Sequence, residues 1–266
     1  MGPRHAALSG DVAWDPAQYL KFADHRLRPA VDLLSRVDLA APGEVYDLGA
    51  GAGNVTRLIK ARWPEARVTG VDSSAEMLAK AAATAPEITW ERADLATWRP
   101  SRPADLIYSN ATLHWVEGHT ALFPALLGSL NPGGVLAVQM PRNFKAPSHT
   151  LIGDAARGGP WRARLEPLLR PTPVGDPALY YDILAPRAAA LDVWETEYLQ
   201  VLEGENPVKE WTKGTWLKPL LDALQEPERS GFESAYAALT ARAYPRHADG
   251  RTLFPFRRLF IVARAQ

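Results

Sequence analysis

Gly49, Gly51 and Gly53 stand at alternate positions in VYDLGAGAGN, directly after an apolar β-branched run and directly before a helix-like one. Glycine at such positions lets the chain turn with φ > 0 and lets its backbone approach a ligand more closely than any Cβ would permit. Asp72 ends the next strand-like run about twenty residues further on, the separation at which an acidic side chain accepts hydrogen bonds from ribose hydroxyls. Loop, strand and acid together predict an adenosine-type cofactor. The glycine spacing discriminates among such cofactors. A dinucleotide fingerprint GxGxxG needs its third glycine where this chain has Asn54. The compact GxGxG, with Asp47 just ahead of it, suits S-adenosyl-L-methionine, whose ammonium group attracts an acid that would repel a pyrophosphate. A nicotinamide dinucleotide stays open as the second reading of the loop.

An ordered scaffold must hold these residues, and the chain around them supplies its rhythm. From about residue 44 to 139, short β-branched runs (EVYDL, ARVTGV, ITWERA, ADLIYSN, GVLAVQM) alternate with helical patterns. That alternation predicts an α/β fold with a mostly parallel sheet covered by helices on both faces. Ser73 or Ser74 is placed to cap the helix after ARVTGVD, and Asn131 to Gly134 to stop the one before GVLAVQM. Open sheets of this kind bind ligands at the carboxyl ends of their strands. Asp94, after the third strand, is there a candidate acceptor for an adenine amino group, or else a turn acid. Met77 is placed to pack on the adenine, or else in the core. Asn110 ends the fourth strand and borders the methionine end of the cofactor. Ser73 and Leu95, adjacent to Asp72 and Asp94, complete the cofactor set.

After Met140 the texture changes to a Pro-, Gly- and Arg-rich stretch, and strand-like character returns at LDVWETEYLQVL and RLFIVARA. Asn206 with Pro207 reads as a helix start, and Phe232, Tyr236, Leu239 and Ala243 recur at helical spacing. The expected organisation is an extra segment over 1–13 and a cofactor-binding core over 14–140 that begins with a cover helix. A helical lid over 141–190 and 203–250 and final core strands over 191–202 and 258–266 complete it.

The 266 residues balance 30 basic against 30 acidic side chains, with 47% hydrophobic residues, nine tryptophans and no cysteine. Disorder is excluded by that apolar fraction, and thiol chemistry and disulfides by the missing cysteines. The same absence suits a reducing cytoplasm. Zero net charge argues against nucleic acid as the main partner, since non-specific affinity for it needs a cationic excess. No run approaches about 18 consecutive apolar residues, so no membrane partner is expected. Oligomeric state is not readable from these features.

In order, DLGAGAG, Asp72, the Ala93–Asp94 pair, DLIYSNATLHWV and LNPGGVLAVQM make the chain resemble the class I S-adenosylmethionine-dependent methyltransferases. Further runs resemble the branch of that family that esterifies small carboxylic acids: WDPAQYLKFADHRLRPAVDLLSRV at 14–37, NATLHWVEGH at 110–119, VQMPRN at 138–143, YYDIL at 180–184, EWTKGTWLKPLL at 210–221 and FPFRRLFIVAR at 254–264. The resemblance implies a Rossmann-like, seven-stranded fold and methyl transfer to one carboxylate of a small polycarboxylic acid. It also implies a cover helix bearing Tyr19, Phe22, Arg26 and Arg28.

A carboxylate with a reference pKa near ~4 is already ionised at neutral pH, so its methylation needs no general base and no metal. Positioning is what the protein must supply, with guanidinium, aromatic and amide groups near the sheet edge. The candidates for substrate contact are Arg28, His114, Trp115, Arg142, Asn143, Tyr181, Trp211 and Arg258, with Tyr180, Lys213 and Arg257 beside them. His114 is the one potential titrating group among them. Another small acid, a nicotinamide-dependent oxidoreductase and a non-catalytic cofactor-binding module remain open as other functions.

Overall fold

The computed structural model describes residues 23–171 and 174–266. The extra segment expected over 1–13, the candidates Tyr19 and Phe22, and the side chain of Arg26 lie outside what is described. Helix α1 (Ala23–Ser35) leads into β1 (Glu44–Leu48), α2 (Asn54–Arg62), β2 (Arg67–Asp72), α3 (Ala75–Thr84), β3 (Thr89–Arg92), β4 (Ala104–Asn110), α4 (His119–Leu127) and β5 (Leu130–Pro141). There follow α5 (Pro147–Arg157), α6 (Arg162–Leu165), α7 (Pro177–Leu184), β6 (Ala188–Leu202), α8 (Pro207–Lys213), α9 (Lys218–Asp222), α10 (Glu228–Ala243) and β7 (Thr252–Ala265).

The strands form one seven-stranded sheet in the order β3-β2-β1-β4-β5-β7-β6. β1 pairs in parallel with β2 and β4, β2 with β3, and β4 with β5, whereas β7 runs antiparallel to β5. The chain winds outward from β1 to β3, then crosses back to β4, so β1 and β4 flank the topological switch point where such sheets bind ligands. Alternate residues of β5 serve opposite faces. Leu136, Val138 and Met140 pack with Leu122, Phe123 and Leu126 of α4, while Val135 and Ala137 join Leu33 and Leu34 of α1 and Ile59 of α2. Helices therefore cover both faces, as the βα rhythm predicts, and the fold is Rossmann-like.

By packing, the described chain forms two units. Residues 24–144, 171–200 and 255–266 make a sheet unit, and residues 145–170 and 201–254 make a helical unit. Residues 171–190, grouped on sequence grounds with the lid, thus pack with the sheet. Their attachment has a clear cause: Val174, Tyr180 and Leu184 are buried among the α4 side chains, and the Tyr180 hydroxyl meets His119 Nδ1 at 2.7 Å. The helical unit has its own core of Ile152, Trp161, Leu165, Leu217, Leu220, Phe232 and Tyr236. Asn206 does cap α8, its Oδ1 accepting from Lys209 N at 3.3 Å. β7 begins at Thr252, six residues before the expected 258, because burial of Thr252, Phe254 and Phe256 keeps a period of two through Pro255. Among the described residues, no helix is long and apolar enough to cross a membrane.

α1 contains Pro29, which removes one bond of its ladder, so packing must hold it. Besides Leu33, Leu34 and Val37, polar tethers do so, from Arg62 to Leu34 O, from the Tyr198 hydroxyl to Asp32, and from the buried Tyr108 hydroxyl of β4, which donates to Ala30 O at 2.7 Å. Tyr108→Phe leaves that carbonyl short of a partner and is expected to cost about 1–2 kcal/mol, read as a lower midpoint in urea unfolding with unchanged slope.

Candidate active site

All three loop glycines adopt positive φ: 79° at Gly49, 55° at Gly51 and 78° at Gly53. Gly49 N and Ala50 N donate to Val71 O at 2.8 and 3.0 Å, hooking the loop onto the end of β2. Close approach explains two of the glycines directly. A Cβ on Gly49 would lie 2.0 Å from Thr112 Oγ1, and one on Gly53 would lie 2.6 Å from the Trp90 ring. At Gly51 a Cβ would meet only open space, so there the backbone faces room for a ligand.

The acids around the loop divide by environment. Asp72 accepts from Gly51 N and from Ser74 N, both at 2.8 Å, one through each carboxylate oxygen. It thereby ties the glycine loop to the start of α3, with further lone pairs left over on its two oxygens. Ser74, rather than Ser73, caps α3, its Oγ accepting from Met77 N at 3.3 Å. Ser73 is exposed and offers its carbonyl to Arg92 Nε. Asp47 is buried in β1, where the Thr56 hydroxyl donates to it at 2.6 Å. Burial pushes its pKa up to about 7, against the Thr56 bond and with help from the Asp72 charge.

Asp94 Oδ1 accepts from Ala96 N at 3.0 Å and its carbonyl from Trp98 N, which is the turn role left open above. Met77 and Leu95 are buried, the latter within the sheet core. Asp47, the three glycines, Asp72 and Asn110 thus gather at the carboxyl ends of β1, β2 and β4. Asn110 Oδ1 is buried with no hydrogen-bond partner among the described residues. An acceptor left in that state suits a cationic donor such as an ammonium group.

The residues expected to meet substrate are dispersed. His114 is buried in the turn Leu113–Trp115 after β4, its ring 4.6 Å from that of Trp115, which is 37% exposed. Arg142 departs from the expected role: its guanidinium pairs with Glu195 and, at 2.7 Å, with Asp176. Two carboxylates neutralise it and hold its pKa up, so it serves to fasten residues 171–200 to the end of β5. Asn143 Oδ1 accepts from Arg257 N at 3.2 Å and links β5 to β7. Tyr181 is exposed on α7, whereas its neighbour Tyr180 is fully buried. Trp211 is core of the helical unit, its ring 5.7 Å from Phe254.

Arg28 and Arg258 remain on one face of the sheet unit. Arg28 lies 5.2 Å over the Tyr198 ring and 3.9 Å from Asp32, and the Tyr198 hydroxyl donates to Asp32 Oδ2 at 2.7 Å. Arg258 is 3% exposed, with Nη1 at 3.4 Å from Gln139 Oε1. Gln139, Thr112, Tyr198 and Asp32 escaped the sequence reading. Of these only Gln139 had a usable signal, a polar residue inside a strand whose two faces are both covered.

The chain's relatives fit this geometry. A family model described as a methyltransferase domain matches residues 45–134. A trans-aconitate 2-methyltransferase of Azoarcus sp. (strain BH72) is 51% identical over 250 residues, 94% of this chain and 98% of that protein. The chain belongs to the trans-aconitate 2-methyltransferase family. A member from Streptomyces avermitilis is 49% identical over 94% of this chain and 96% of its own. Among solved structures, the YcgJ protein of Bacillus subtilis superposes with a TM-score of 0.56 at 14% identity, over 90% of this chain and 99% of that one. A Haemonchus contortus phosphoethanolamine N-methyltransferase 2 in complex with S-adenosyl-L-methionine gives 0.51 at 17%, over 90% and 53%. Likeness at those identities speaks for the fold alone. Membership of a methyltransferase family sets aside the nicotinamide reading of the glycine loop.

Two outcomes follow from the loop. Gly49→Ala must relieve both a strained φ and overlap with Thr112, so thermal unfolding should show a loss of at least about 2 kcal/mol. Asp47 has a folded pKa above its unfolded one, so the folded state binds the extra proton and stability falls as pH rises from about 3.8 to about 7. Asp47→Asn should remove that fall, leaving the variant relatively more stable above pH 7 by up to about 4 kcal/mol and not at pH 4, read from urea midpoints across pH.

Proposed function

We propose that this protein is an S-adenosyl-L-methionine-dependent carboxyl methyltransferase that converts trans-aconitate to a monomethyl ester, releasing S-adenosyl-L-homocysteine. The observation that carries this reading is the 51% identity to a trans-aconitate 2-methyltransferase, sustained over nearly the full length of both chains. The loop geometry supports the cofactor independently. Positive-φ glycines with open space at Gly51, the Asp72 carboxylate and the unpartnered Asn110 Oδ1 are the donor and acceptor set that an adenosyl amino acid requires. When bound, S-adenosyl-L-methionine supplies an electrophilic methyl group on a positively charged sulfur.

What the chain's own residues contribute is position and field. Asp72 accepts from ribose hydroxyls while its bonds to Gly51 N and Ser74 N keep the loop in place. Asn110 Oδ1 accepts from the ammonium of the cofactor's methionine part, and Asp47 in its ionised form adds attraction from behind β1. The substrate carboxylate arrives ionised, so no residue has to remove a proton from it. Arg28 and Arg258 provide guanidinium groups in the sheet unit for a polyanionic acid. A chain without cysteine is at home in a reducing cytoplasm, where we place the reaction.

Incubation with methyl-labelled cofactor and a panel of di- and tricarboxylic acids, with the ester identified by mass spectrometry, tests the reading. Label is expected in trans-aconitate monomethyl ester, and preferential labelling of a different acid would refute the substrate. With no base to titrate, kcat should vary less than about twofold between pH 6 and 8. Across the same range the cofactor KM should fall as Asp47 ionises, and Asp47→Asn should abolish that slope. Asp72→Ala should weaken S-adenosyl-L-homocysteine binding by at least about tenfold in calorimetry while leaving the order of preference among acids unchanged.

A further inference from the structure

Gln139 sits in β5 among Ala137, Val138 and Met140 and is fully buried. It faces Asn110 of β4 across one ladder and Phe260 of β7 across the other, with Pro141 opposite Arg258 two residues on. An amide in such a place is costly unless both of its ends are satisfied. One end is: Oε1 accepts from Arg258 Nη1 at 3.4 Å. The opposite assignment would set an NH2 group against a guanidinium, donor against donor, so the pairing itself orients the amide. Nε2 is thereby directed away from Arg258, buried and without a hydrogen-bond partner among the described residues.

A buried amide N–H calls for an acceptor, and near the carboxyl end of β5 a carboxylate oxygen of the substrate supplies one. Resting on the function proposed above, we propose that Gln139 is a substrate-binding residue. Its Nε2 donates to a carboxylate of trans-aconitate other than the one methylated, while its Oε1 stays on Arg258 Nη1. The spectator carboxylate is the one to receive this bond, because a donor on the attacking oxygen would lower its nucleophilicity. Gln139 then contributes to selectivity for acids with a third carboxylate. It is a site residue that carries no charge and titrates in no accessible range.

The test uses the full chain, Gln139→Met and Gln139→Glu, with trans-aconitate and with mesaconate, itaconate and cis-glutaconate, each of which lacks one of its carboxylates. Gln139→Met should raise KM for trans-aconitate at least tenfold and Gln139→Glu, which turns a donor into a like charge, at least a hundredfold. S-adenosyl-L-homocysteine affinity should stay within twofold in both. One of the three dicarboxylates should be a poor substrate for the unaltered protein, and Gln139→Met should erase that particular penalty. On the unaltered protein, the Gln139 side-chain amide nitrogen resonance should move when trans-aconitate is added to the S-adenosyl-L-homocysteine complex, a measurement independent of how the variants fold. An unmoved resonance, or a KM unchanged within twofold in a folded variant, overturns the assignment. So does a loss of cofactor affinity that matches the rise in KM. If the unaltered protein turns over no trans-aconitate, the proposed function fails and this inference with it. Turnover with unaffected variants sinks the inference alone.

Discussion

Contact between the turns that leave β1 and β4 is the constraint on which the rest of the sheet edge depends. Thr112 occupies the space that a side chain at Gly49 would need, with its Oγ1 2.0 Å from the position of a Cβ there. Only glycine admits that approach, and only a positive φ lets the loop then swing back toward β2, where Val71 O receives two of its N–H groups. Asp72 completes the arrangement by gripping Gly51 N and Ser74 N. Three strands are thus locked together by their outgoing turns at the switch point of the sheet. Contacts within the chain itself thus set the backbone geometry of the loop.

Electrostatics at this edge follows from burial more than from composition. Asp47 and Asp72 lie close enough to influence each other, yet one is hidden behind the loop with a pKa pushed up to about 7 while the other is held by backbone donors. A buried acid of that kind is poised to ionise when a cation arrives, since opposite charge favours the ionised form. The arginines separate in the same way. Arg142 is engaged by Asp176 and Glu195 and serves architecture, whereas Arg258 is buried beside Gln139, whose Oε1 accepts from its Nη1.

Residues 171–200 carry a lesson about segment boundaries. Their Pro and Gly content sets them apart in sequence from the strands on either side. In the folded chain Tyr180 is fully buried against His119 and Phe123, and the Arg142 ion pairs fasten both ends of the segment to the sheet unit. Composition marks where regular texture stops, but attachment is decided by a few buried side chains. Nothing in YYDIL says which tyrosine turns inward, because α7 is short and both neighbours are aromatic.

The sequence by itself determined the architecture and the cofactor edge, because both rest on local rules. Strand and helix periods, glycines at positive φ, an acid at a set distance and an N-cap serine are all written within a few residues of where they act. For that reason Asp47, Gly49, Gly51, Gly53, Asp72 and Asn110 could be placed at the carboxyl ends of β1, β2 and β4. The tertiary structure alone decided which long-range partners each polar group finds. Asp94 closes its own turn, Met77 and Leu95 enter the core, Arg142 is neutralised by acids 34 and 53 residues away, and Gln139 meets Arg258 across 119 residues. A side chain's chemistry depends on the charges and donors around it, and for residues joined only through the sheet no spacing in the sequence records them.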